Sequence, residues 1–147
     1  MRNLPATLLF AGILPMTAVQ AADFRSVSER AAVLYDAPSA RSSKLFVVSQ
    51  FYPVEVVVNI DSWVKVRDVS GALAWIEKRA LSERRTVLVK VTLADVRLAA
   101  EESSALVFQA REGVALDLAE VGAGGWVKVR HRDGQTGYIR ANQVWGL

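Results

Sequence analysis

The chain has 147 residues, 52% of them hydrophobic and 22% charged, with 18 Lys and Arg against 15 Asp and Glu. A formal net charge of +3, with both signs mixed along the chain, is too weak a field for a nucleic-acid binder. There is no cysteine, so neither a disulfide framework nor a Cys-His nucleophile is available, and stability must come from burial.

Arg2 is followed by an apolar run from Leu4 to Val19 and then by the small residues Ala21-Ala22. This pattern predicts a secretory signal peptide over residues 1–21, cleaved near Ala21. A retained membrane anchor is the weaker alternative. The run is shorter than the ~20 residues a spanning helix needs and holds Pro5 and Pro15. The remainder is expected to be periplasmic or otherwise exported, with no stable membrane insertion after cleavage.

Beyond the leader the hydrophobic period is two. Val54, Val56 and Val58 alternate with Glu55, Val57 and Asn59, and Val64 and Val66 alternate with Trp63, Lys65 and Arg67. Such alternation reads as half-buried strands. Turn residues separate them at Asp36–Ser39, Phe51–Pro53 and Ser70-Gly71. The stretch "RRTVLVKV" from Arg84 has no Gly or Pro and is itself strand-like, so it is expected to couple what lies on either side.

The pattern then repeats. "WVKVR" at 63–67 recurs at 126–130, and Trp75, Ile76 and Leu81 match Tyr138, Ile139 and Val144 at the same offset of 63. Upstream the offset reads as 60, pairing Pro53-Val54 with Gly113-Val114 and Val47-Val48 with Val107-Phe108. The slip is assigned to "VGAGG" at 121–125, and Asp133-Gly134 marks a tight hairpin. About five short strands per ~60 residues suit a small, strongly bent barrel.

"WVKVRDVSGALAWIEKRAL" and "WVKVRHRDGQTGYIRANQV" resemble the signature of bacterial SH3-like domains: a Trp opening a strand, a Gly-containing hairpin, an aromatic-Ile pair and a short closing turn. "LSERRTVLV" and the final "VWGL" resemble an exported tandem subfamily. The resemblance implies an all-β chain of two tandem small SH3-like barrels, at 24–83 and 87–147, after a cleaved signal peptide. It also implies a non-enzymatic cell-envelope binding module whose partner is a peptidoglycan peptide or an envelope protein. The alternative is a structural protein that assembles through open strand edges without a small ligand. "VRLAAEESS" lacks the Tyr and Pro of "VLYDAPSARSS", which places the second binding face in question.

Strand alternation puts Trp63 and Trp126 on the face opposite the core valines. With Phe51, the residues Tyr35, Tyr52, Trp63 and Trp75 are expected to form an aromatic ligand groove, with Trp126 and Tyr138 in the second copy. The alternative is that Trp63 caps its barrel or fills the contact between barrels. "VLYDAP" at 33–38 resembles the Leu-Tyr-Asp stretch of eukaryotic SH3 domains, but Arg41 and Lys44 stand where those domains are acidic. His131, the single histidine, reads as a surface residue, and with no Cys it supports neither a zinc site nor, without a serine elbow, a triad. No cofactor is implied. Glu101-Glu102 reads as a solvated loop, Arg84-Arg85 as a solvated hinge pair, and Trp145 as packing back on the second barrel.

Overall fold

The computed structural model describes residues 21–147; residues 1–20, which carry nearly all of the predicted leader, lie outside the described residues. The first half holds strands β1 (Phe24–Val27), β2 (Ala31–Tyr35), β3 (Lys44–Ser49), β4 (Pro53–Ile60), β5 (Trp63–Arg67) and β6 (Leu73–Glu77), a 3-10 turn (Lys78–Ala80) and β7 (Leu81–Ser82). The second half repeats the series. It runs β8 (Thr86–Val89), β9 (Leu93–Arg97), β10 (Leu106–Arg111), β11 (Ala115–Val121), β12 (Trp126–Arg130), β13 (Thr136–Arg140), a 3-10 turn (Ala141–Gln143) and β14 (Val144–Trp145). Each half forms one antiparallel sheet of seven strands, ordered β3-β2-β6-β5-β4-β1-β7 and β10-β9-β13-β12-β11-β8-β14. The permutation is the same in both, so the chain is two tandem SH3-like barrels.

Each barrel closes on its own core. Val27, Leu34, Val54, Val64, Val66 and Ile76 fill the first; Val89, Val96, Leu116, Val127, Val129 and Ile139 fill the second. The period-two alternation of "WVKVR" therefore holds in both copies. It fails at Val58, which is exposed, because β4 carries a bulge between Val56 and Val58. Val56 pairs with Val66, but Val58 pairs with Lys65. One extra residue turns the rest of the strand over. β11 has the matching bulge between Leu118 and Glu120.

The pairings also correct the upstream alignment. Val48 faces Ala32 while Ala110 faces Ala94, and Val54 and Leu116 hold matching places opposite the first strands of their barrels. The true upstream offset is thus 62, two more than the sequence match suggested. An error of two keeps every residue on its face, so alternation alone does not reveal it.

The barrels meet directly. Gly113 matches Phe51 in this register, and both have positive φ, 83° and 70°. Both N–H groups donate to the first strand of their own barrel, at Val89 O and Val27 O. Phe51 instead of Gly presents its ring at the junction. There the Arg84 guanidinium lies 4.3 Å from the ring centroid, and the buried Thr86 Oγ1 donates to Phe51 O at 2.7 Å. Trp145 pairs with Leu88 in the second sheet, but its ring meets Phe24 of the first edge-on at 5.1 Å. It therefore joins the barrels rather than packing on the second alone.

Candidate functional site

The site in the first barrel is built on the β2–β3 hairpin tip and the start of β5. The tip is cross-tied: Asp36 N–H donates to Ser43 O, Ser43 N–H donates back to Asp36 Oδ1, and the Ser42 hydroxyl donates to Ser39 O at 2.6 Å. These local bonds hold Pro38–Ala40 as one wall of a cleft of about 700 Å³. Ser62 and the half-buried Trp63 lie on its floor, and Glu77, Lys78 and Arg79 form the opposite wall. Arg79 is tied to Glu77 at 2.5 Å and to Glu29 at 3.4 Å. The hydrogen bond to Glu77, more than any other contact, holds the guanidinium above its ordinary range. Lys78 has no ion pair among the described residues.

The predicted groove residues part company here. Tyr35 is only 8% exposed and meets the Trp63 ring edge-on at 5.4 Å; it supports the platform instead of offering a surface. Trp75 pairs with Lys65 and Tyr35 on the same outer face, with Lys65 Nζ 5.8 Å from its ring, but it does not line the cleft. Tyr52 packs on the first core and lines a different groove, between the barrels, beside Leu88, Val114, His131 and Arg132. Burial raises its hydroxyl above the ordinary phenol range and the nearby Asp68 charge adds to this, while a hydrogen bond with the Val69 backbone opposes it. Phe51 belongs to the junction.

The second barrel's matching face is closed. Trp126 lies off the valine core, as alternation requires, yet it is only 5% exposed, against the expectation of an open indole. Its cross-strand partner is Arg140, whose guanidinium covers the ring at 4.3 Å, where Trp63 faces Glu77. A carboxylate cannot stack on an indole face; a guanidinium does so favourably. Glu102 grips Arg140 at 2.5 Å and lies 3.9 Å from Arg97, so this loop carboxylate is a latch and not merely solvated. Tyr138 pairs with Lys128 and Arg97 and is half-buried. The Glu77-to-Arg140 change was readable at offset 63 and was the signal the sequence reading missed.

A sequence model of the bacterial SH3 domain matches residues 28–83 and again 90–146. The chain belongs to the bacterial SH3 domain family. This domain is of a binding type. Similar solved structures include NlpC2 and NlpC1 from Trichomonas vaginalis, at 14% and 15% identity and a TM-score of 0.40 each; 87% and 90% of this chain is covered, against 49% and 50% of theirs. An NlpC/P60 family protein from Bacillus cereus is 16% identical with a TM-score of 0.38, over 83% of this chain and 55% of that one. The bacterial SH3 chain thus spans about half the length of these structures. No curated protein matches it. Among the described residues no helix is long and apolar enough to cross a membrane, and no cluster of three metal-ligating side chains occurs.

Proposed function

We propose that the chain is an exported, non-enzymatic binding module of the cell envelope, recognising a peptidoglycan peptide or an envelope protein through its first barrel. One observation carries this reading: the Trp63 cleft is open, while the same place in the second barrel is sealed by Arg140 and Glu102. A half-buried indole, backed by Tyr35 and flanked by a braced loop, is a preorganised platform that loses little freedom on binding. The units 24–83 and 87–147 then have unequal roles, one recognising and one supporting.

Trp63→Ala tests this by cosedimentation with purified sacculi. The variant keeps its far-ultraviolet spectrum and binds at least ~10-fold more weakly than the parent, the loss typical of an aromatic anchor. Equal binding by the two proteins overturns the site. A second reading rests on β3, an edge strand whose Leu45, Phe46 and Val47 are all exposed, Val47 at 69%. If Trp63→Ala changes nothing and the parent sediments as a concentration-dependent dimer, assembly through that edge replaces recognition.

A further inference from the structure

The Arg84-Arg85 pair is not a solvated hinge, and the structure adds two more cations beside it. The Arg84 and Arg132 guanidinium carbons lie 4.3 and 5.9 Å from the centroid of one ring, that of Phe51. Asp117 is the carboxylate among them. It takes a two-pronged hydrogen bond from Arg84 at 2.7 and 2.6 Å, and Arg130 stands 3.6 Å away. Arg132 forms no ion pair among the described residues. Two of the three guanidinium groups thus share one carboxylate and the third has none, which leaves a residual positive charge beside the Phe51 ring.

The cluster lines a small hollow of its own, joined through Ala115 and Arg132 to the groove between the barrels, a cleft of about 460 Å³ with Leu88, Val114 and Tyr52 along it and His131 beside them. His131 Nδ1 is 3.0 Å from Asp133 Oδ1, so that carboxylate is engaged locally. Phe51, Thr86 and Trp145 are among the residues that hold the two sides of the groove against each other.

We infer that this seam is a second binding site, taking an extended phosphate-bearing anionic chain whose charges meet Arg132 and Arg130 while its apolar links lie over Leu88 and Val114. Phosphate fits better than carboxylate. Asp117 already supplies a carboxylate to two of the guanidiniums, and a more highly charged group competes better for Arg forks, whose geometry matches phosphate oxygens. The Phe51 face is covered by cations, so that ring is not free to stack on a nucleic-acid base. The site is separate from the Trp63 cleft and stands or falls independently of it.

Titration of the full chain with inorganic tripolyphosphate, followed by amide nuclear magnetic resonance, tests the assignment. Shifts gather on Gly113–Ala115 and His131–Arg132, affinity falls with added salt, Arg132→Gln weakens binding by about fivefold or more, and Trp63→Ala leaves it unchanged. Arg41→Gln removes an equal charge from the hairpin tip of the first barrel and has less than about a twofold effect. Equal loss from Arg41→Gln and Arg132→Gln, or shifts scattered over the surface, overturns the site. Binding of hexaglutamate as tight as that of tripolyphosphate overturns the phosphate assignment.

Discussion

Phe51 shows how one side chain is set by two competing demands. Its φ of 70° is a left-handed conformation that its counterpart Gly113 adopts at 83°. A non-glycine residue there costs about 1 kcal/mol, and the junction offsets that cost through the Arg84 contact and the Thr86 hydrogen bond. Phe51→Ala loses the ring and keeps the strain, whereas Phe51→Gly loses the ring and relieves it. Urea unfolding should therefore find the Gly variant more stable than the Ala variant by about 1 kcal/mol, the reverse of the usual order in a strand. Equal midpoints would mean that the turn relaxes without cost. The sequence marked a turn at Phe51–Pro53, but the offset of 60 set Phe51 against Arg111 instead of Gly113 and hid the special conformation. Trp126 lies off the valine core, where alternation puts it, because alternation fixes direction. What covers a face comes from other strands and loops, here Trp63 over Tyr35 and Arg140 over Trp126, and alternation carries no information on that.

At the level of elements, β11 is held to the linker before β8 by the Arg84–Asp117 pair. Hydrogen bonding from Arg84, ahead of its charge and that of Arg130, lowers the Asp117 carboxyl below the ordinary range against a smaller desolvation effect. A lowered folded-state pKa stabilises the protein at pH values above the unfolded value, and that contribution disappears as pH falls through the folded value. Asp117→Asn should thus cost about 1 kcal/mol near neutrality, discounted for the partly exposed Arg84, and the gap between variant and parent should close below about pH 4. A gap that persists unchanged at pH 3 would assign the effect to packing. Strand existence and the register of β5 and β12 were legible because the five-letter repeat fixes them. The bulges were not: Val57 and Ala119 carry no local mark, and a bulge is decided by how two strands twist together.

The molecule as a whole raises the question of how two units near 60 residues stay folded without disulfides. A barrel of that size buries too little surface for a wide margin. The junction contacts bind each barrel's stability to the other's: Thr86 of the second barrel bonds to Phe51 of the first, the Trp145 ring stands on Phe24, and the Arg85 guanidinium carbon lies 5.5 Å from the Phe24 ring centroid. The first barrel then cannot unfold without exposing β8 and β14, whose buried Thr86, Val87, Leu88 and Val89 belong to the second core and its border. Calorimetry of the parent should give a single transition whose calorimetric and van't Hoff enthalpies agree. Trp145→Ala removes an edge-on aromatic pair worth about 1 kcal/mol beyond its buried area. Thr86→Val removes the hydrogen bond but keeps the shape. Their combination should broaden the transition and then divide it in two, because each barrel then melts at its own temperature. If the double variant still melts as one sharp transition, shifted downward, the cooperative unit is held elsewhere, and the linker strand itself becomes the element to break.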